Sequence, residues 1–224
     1  MNSLDAQSIP GTEGSTVSAG AWSPDGRSIV YAADGKLVRL DIASGSPQIL
    51  ASASTQRASA WSSAGVILFA TDSAALYQIL ASGGEAKPVA NSTAPVIAYP
   101  SFLPDGRRFL YCKEAGDLSI GDLDSKEGKR LTPGSSGVFI PPAWLLNVRG
   151  STLVAQSFDA GKRSLYGDPI PIADRVAVLG PNGGAFSVSQ AGVLAYRRAI
   201  PIPNDLTWYD RHGKRLGTVG EQGV

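Results

Sequence analysis

The chain reads as short runs of four to seven mostly apolar residues, each bounded by Gly, Pro, Asp or Ser. Runs of that length between such residues predict β-strands joined by tight turns. They also recur in a fixed order. An aromatic residue stands before a turn at Trp22, Trp61, Phe102, Trp144 and Phe186, at spacings of 39, 41, 42 and 42. A first apolar run follows in each unit: "SIVYA", "VILFA", "RFLYC", "WLLNV" and "GVLAY". The next comprises "LVRLDIASG", "LYQILASGG", "LSIGDLDS", "LVAQSFDAG" and "LTWYDRHG"; the last comprises "PQILAS", "AKPVAN", "GKRLTP", "DPIPIA" and "RLGTVG". One stretch admits two readings. "DSAALYQILAS" puts Leu76, Ile79 and Leu80 at helical spacing, but its alignment with "GKLVRLDIASG" makes it a strand.

Four antiparallel strands repeated about every forty residues are the sequence signature of β-propeller blades. The expected architecture is all-β, with about five blades at 20–52, 59–91, 100–133, 142–173 and 184–220 in a single domain. Residues 4–12 would be the outer strand of a preceding blade, so the ring is expected to be incomplete and the chain a fragment. A β-sandwich of this length is the alternative, but it does not require the same order of aromatic, turn and apolar run five times. The core should include Ile29, Tyr31, Leu37, Leu40, Ile67, Phe69, Phe109, Tyr111, Leu153 and Leu194, with the turn-preceding Trp side chains buried between adjacent blades. Helix content should be close to zero.

The turns carry their own chemistry. Pro24 and Pro104 preset φ, Gly26 and Gly106 tolerate positive φ, and Asp25 and Asp105 can cap the local backbone through their side chains. "WSPDGRSIVYAADGKLVRLD" and "FLPDGRRFLYCKEAGDLSIGDLDSKEGKRL" resemble the Pro-Asp-Gly propeller repeat of the TolB family. "LVAQSFDAGKRSLYGDPIPIADRV", "AFSVSQAGVLAYR" and "LTWYDRHGKRLGTVG" are similar to the propeller that follows the kinase domain in bacterial receptor-like serine/threonine kinases. The resemblance runs from about Leu4 to Val224. It departs at "WSSAG" in the second unit and at "WLLNVRG" in the fourth, where Pro-Asp-Gly is absent. It implies a WD-repeat-like sensor or protein-binding module. It does not imply kinase activity, because the glycine-rich loop, the strand lysine, His-Arg-Asp and Asp-Phe-Gly are all missing from the sequence.

Composition narrows the function further. Twenty basic and nineteen acidic residues leave no net field for nucleic acid or an anionic membrane. No apolar run approaches the about 20 residues that span a bilayer, and the polar start has no signal-peptide pattern. The chain as given would therefore be cytoplasmic by default, or extracytoplasmic if it belongs to a receptor-like kinase. One cysteine and one histidine exclude a disulfide framework and the commonest metal sites, so no cofactor and no metal is expected.

Candidate chemistry also reads as structure. His212 lies in the "DRHGK" turn without an evident orienting carboxylate or nucleophile. Cys112 occupies a small-residue slot aligned with Ala32 and Ala70. Gly134-Ser135-Ser136-Gly137 lacks the spacing of a nucleophile elbow, and Ala160–Ser164 lacks that of a phosphate loop. The Asp residues at 25, 41, 105, 122, 124, 159 and 210 fall in repeating turns, and "DLDSKEG" at 122–128 reads as a solvated turn rather than a calcium loop. No catalytic residue is expected. Two functional classes remain: a binding or sensor module that takes a protein or small ligand at the channel mouth or top-face loops, or the accessory propeller of a larger enzyme. The second would be the sensory half of a kinase or the gate of a prolyl-oligopeptidase-like peptidase. In either case incomplete blade edges favour self-association.

Overall fold

The computed structural model describes residues 9, 12, 20–52, 58–71, 75–89, 97–113, 116–125, 127–179, 183–189, 192–200 and 204–223. These contain strands and turns only, and no helix. Four antiparallel sheets of four strands each follow one another along the chain. The first comprises β1 (Ala21–Trp22), β2 (Ser28–Ala33), β3 (Lys36–Asp41) and β4 (Pro47–Ser52). The second comprises β5 (Ser59–Trp61), β6 (Val66–Ala70), β7 (Leu76–Leu80) and β8 (Lys87–Pro88). The third comprises β9 (Ile97–Phe102), β10 (Arg108–Lys113), β11 (Asp117–Asp122) and β12 (Lys129–Pro133). The fourth comprises β13 (Ser135–Ile140), β14 (Trp144–Arg149), β15 (Thr152–Asp159) and β16 (Ser164–Ala173). Strand order within every sheet is sequential, so each is a meander in which neighbours in the chain are neighbours in the ladder. The ambiguous segment at Leu76–Leu80 is a strand, paired on both sides.

One recurring turn sets the entry to the second strand. The glycine N–H of Gly26, Gly65, Gly106 and Gly192 donates to the carbonyl three residues before it, at 2.9–3.0 Å, and all four glycines have φ between 67 and 80°. Left-handed backbone is what glycine tolerates without steric cost. "WSSAG" therefore builds this turn without Pro or Asp: Ser62 Oγ accepts the N–H of Val66 at 3.0 Å.

The apolar faces stack in sequence. Val30, Leu37 and Leu50 of the first sheet pack against Ile67, Phe69 and Ile79 of the second. Leu68, Ala70 and Leu76 meet Phe109 and Tyr111 of the third, and Leu110, Cys112, Leu118 and Ile120 meet Leu145 and Phe158 of the fourth. The second and third sheets are thus covered on both faces by their neighbours, and that explains the near-continuous apolar runs of their middle strands. Of the expected core, Ile29 and Leu194 are only half-buried; both lie at the ends of this stack, packed against the clusters of the first sheet and after the fourth.

The fifth unit departs from the expected pattern. Its strands β19 (Phe186–Val188), β20 (Leu194–Tyr196), β21 (Asn204–Tyr209) and β22 (Arg215–Gly223) form two separate hairpins instead of one sheet. A further two-stranded pair, β17 (Val178–Leu179) with β18 (Gly183–Gly184), precedes them and was not anticipated. Phe186, Val188 and Leu194 nevertheless pack on Leu146, Val148 and Leu153 of the fourth sheet, as a following blade would. The expected strand at 4–12 lies outside the described residues apart from Ile9 and Thr12; Ile9 packs on the first sheet against Tyr31, Ala33, Val38 and Leu40.

The fourth unit starts earlier than its sequence pattern predicts. It begins at Ser135 rather than 142, because β13 is its inner strand. Trp144 does not precede the first turn but opens the second strand. In register, Trp22 pairs with Ile29, Trp61 with Ile67, Phe102 with Phe109, and Phe139 with Leu145. Phe139 therefore holds the repeated aromatic position. The turn after it, Pro141–Pro142–Ala143, has neither Gly nor Asp, which hid the strand boundary in the sequence.

Candidate binding channel

The inner strands β1, β5, β9, β13 and β19 converge on a common space. One cavity of about 730 Å³ is bounded by β1, β5, β9 and the β19–β20 hairpin with the turns that follow the inner strands. A second, of about 640 Å³, continues it past Val138, Phe139 and Pro141 of the fourth sheet. Both are walled by Trp22, Trp61, Phe102, Ser187 and Val188, so they form one channel.

The aromatic positions do two jobs. Trp61, Phe102, Phe139 and Phe186 wedge between their own sheet and the preceding one, each joining the apolar cluster at that interface. Trp61 is also capped by Arg39 of the first sheet, whose guanidinium carbon lies 5.5 Å from the ring centroid. Arg39 Nη1 donates to the carbonyl of Ala81 at 3.1 Å, which holds the guanidinium in place. Phe102 meets Phe109 edge-on at 6.4 Å, and Phe139 meets Phe158 similarly at 6.0 Å. Trp22 is the exception. It was expected to be buried between blades, but 58% of it is exposed, because none of the four sheets packs on that side of β1. Trp144 is likewise exposed, at 37%.

The Pro-Asp-Gly turns surround one mouth of the channel, where Pro24 and Pro104 line the wall. Asp25 accepts from Ser23 Oγ at 2.6 Å and from the N–H of Arg27 at 3.1 Å; these bonds hold its carboxyl below the usual value. Asp105 accepts from the N–H groups of Arg107 and Arg108 and pairs with the Arg108 guanidinium. Burial alone would raise its pKa, but those partners outweigh it and the net shift is downward. Asp41, Asp122, Asp159 and Asp210 likewise accept backbone N–H groups two or three residues ahead. Asp124 instead pairs with Arg107 at 2.6 Å. Apart from Asp124, these carboxylates are thus occupied as caps, each in its own turn.

The other candidates are equally tied to structure. His212 is exposed in the β21–β22 turn and donates its backbone N–H to Asp210 Oδ1 at 2.8 Å. Cys112 is buried between the third and fourth sheets, and burial pushes its thiol up to about 11. The backbone N–H of Ser136 donates to its sulfur at 3.1 Å. Ser135 and Ser136 belong to β13, and Ser136 Oγ accepts the N–H of Gly184 at 2.7 Å. Ala160–Ser164 forms the β15–β16 turn with the Lys162–Asp159 pair at 3.6 Å. Among the described residues, no three His, Cys, Asp or Glu side chains gather as a metal site would require. Among the described residues, no helix is long and apolar enough to cross a membrane. Sequence reasoning missed Phe139 and the serines of the channel wall; the sequence signal available was the aromatic–serine pairing of Trp22-Ser23, Trp61-Ser62, Ser101-Phe102 and Phe186-Ser187.

The fold has well-defined relatives among solved structures. It is similar to TolB from Acinetobacter baumannii, with a TM-score of 0.63 at 19% identity over 93% of this chain and 55% of that one. A putative TolB from Agrobacterium tumefaciens matches with a TM-score of 0.63 at 18% identity, over 91% of this chain and 80% of that one. A chain of a nidogen/laminin complex matches with a TM-score of 0.61 at 10% identity, again over 91% and 80%. The chain therefore spans little more than half the length of the Acinetobacter protein. At these identities the likeness establishes the fold, an all-β propeller of the TolB kind. No family model and no curated protein matches the chain.

Proposed function

We propose that this chain is a non-catalytic β-propeller module of five repeat units, arranged as an open or imperfectly closed arc, that binds a protein or ligand through the mouth of its central channel. The observation that carries this reading is the channel wall. It draws on five inner strands and holds apolar, aromatic and hydroxyl side chains with no general base, no activated nucleophile and no ionisable group among the residues that line it. Such a surface can bind, but it offers no group to move a proton. Propeller likeness supports a binding role only as analogy, since one fold carries many functions.

The test places a photo-cross-linking residue at Ser63, exposed at the channel mouth, and a second at Gln48 on the exposed outer strand β4. A defined adduct from position 63 and not from position 48, identified by mass spectrometry, supports the reading. Reproducible phosphotransfer from ATP, or ester or peptide hydrolysis that survives purification, overturns it. The likeness of 153–176, 185–197 and 206–220 to kinase-linked propellers favours a second reading, in which the module is the sensory part of a serine/threonine kinase; a prolyl-oligopeptidase gate is its counterpart among peptidases. An adjoining kinase or α/β-hydrolase domain in the same gene decides between these forms.

A further inference from the structure

Charged residues make up 17% of the chain, yet none lines either cavity of the channel. A charged ligand entering this wall would lose hydration without gaining an ionic partner there, a cost that neutral ligands avoid. The polar groups on offer are hydroxyls. Ser63 and Ser187 are exposed and Ser101 is half-buried on the wall, and a serine hydroxyl both donates and accepts. Beside them stands Trp22, a large flat ring left 58% exposed in a concave setting. The cavity of about 730 Å³ lies within the range of small-ligand sites, about 300–1,000 Å³.

From this combination we infer that the channel takes a neutral saccharide, with one sugar face against the Trp22 indole and its hydroxyls bonded to Ser63, Ser101 and Ser187. A pyranose has an apolar C–H face and a rim of groups that donate and accept, which is the same pairing of an aromatic face with hydroxyls that the wall presents. A proline-rich peptide would also use the indole, but it brings carbonyl acceptors alone and leaves the acceptor half of each serine unused. This inference deepens the binding-module reading and rests on it.

The test titrates the purified chain with maltotriose, cellotriose and triacetylchitotriose, followed by tryptophan fluorescence and calorimetry. Trigalacturonate and a decaproline peptide serve as charged and peptidic alternatives. At least one neutral trisaccharide should bind saturably, with a Kd of about 1 mM or tighter. Trp22→Ala should weaken that binding at least about tenfold. Trp208→Ala, on the exposed β21–β22 hairpin and outside the channel wall, should leave it unchanged. Ser187→Ala gives a second variant with little risk to folding and should also weaken it. Failure of all three trisaccharides to bind, or binding that Trp22→Ala and Ser187→Ala leave intact, overturns the inference. Binding of decaproline or trigalacturonate alone, lost in Trp22→Ala, overturns the saccharide but leaves the channel as the binding site. A cross-linked adduct at Gln48 and none at Ser63, with no probe bound, removes both readings.

Discussion

At the scale of single residues, exposure separates two kinds of aromatic side chain that look alike in the sequence. Tyr111 is 1% exposed, while Trp22 is 58% exposed. Truncating a fully buried aromatic costs about 3–5 kcal/mol, because transfer energy and a cavity term add. Tyr111→Ala should therefore lower the urea midpoint severely or leave the chain insoluble, whereas Trp22→Ala should shift stability by no more than about 1 kcal/mol. Equilibrium unfolding of both variants checks the contrast; equal losses would place Trp22 in the core. Gly65 provides a backbone counterpart. A Cβ there would meet nothing within 4 Å, but φ is 76°. Gly65→Ala should cost about 1–2 kcal/mol through left-handed strain alone, and Gly65→Asn should cost less, since Asn tolerates that region.

At the scale of elements, Asp122 adds a polar link beside the apolar joint between the third and fourth sheets. It accepts from Arg107 Nε at 3.2 Å and from the N–H of Asp124 at 3.1 Å, and Arg163 of the β15–β16 turn approaches to 3.8 Å. Burial raises its pKa, but these partners prevail and hold the carboxyl below its usual value. A folded pKa below the unfolded one gives stability that is complete above the unfolded value, about 4, and lost as pH falls through the folded value. The contribution of Asp122 to thermal stability should therefore fall as pH drops below about 4. Asp122→Asn should destabilise the chain by about 1–3 kcal/mol at neutral pH and reduce that acid dependence. Melting curves from pH 3 to pH 7 measure both; an unchanged slope in the variant would mean that other carboxylates carry the transition. The prolines of β16 belong to the same scale. Pro169 and Pro171 sit on the exposed outer strand of the fourth sheet, and proline in a sheet is confined to such edges because it cannot donate to a ladder.

At the scale of the whole molecule, edges and apolar surface govern association. Trp208, Tyr209 and Leu216 of the last hairpin are each at least 60% exposed, so the molecule carries an apolar surface for self-association as well as the blocked edge of β16. Replacing Pro169 and Pro171 by Thr should open that edge to strand pairing and raise the sedimentation coefficient with concentration, relative to the parent chain. No change in sedimentation would show that the prolines do not guard it. Cys112 reports on the stack itself. Buried at 0% exposure between two sheets, with its thiol pushed up to about 11, it should resist a thiol reagent in the native state and react only as the sheets separate. Modification faster than unfolding would indicate local opening of the third and fourth sheets.

Most of the architecture was legible in the sequence because its signals are local. Turn glycines at fixed offsets, apolar runs of strand length and the order of runs within each unit identify the meanders, including the Leu76–Leu80 strand that helical spacing would have misassigned. The fourth unit shows where local signals fail. Pro141–Pro142–Ala143 makes its first turn without Gly or Asp, so Trp144 drew the aromatic position that strand pairing gives to Phe139. The exposure of Trp22 and the division of the fifth unit into two hairpins were also beyond the sequence. Both depend on which sheet lies next in space, and no residue's own neighbours in the chain encode that. The channel follows the same rule. Each inner strand carries its aromatic and hydroxyl side chains for local reasons, but only the stacking of the sheets brings β1, β5, β9, β13 and β19 around one uncharged cavity.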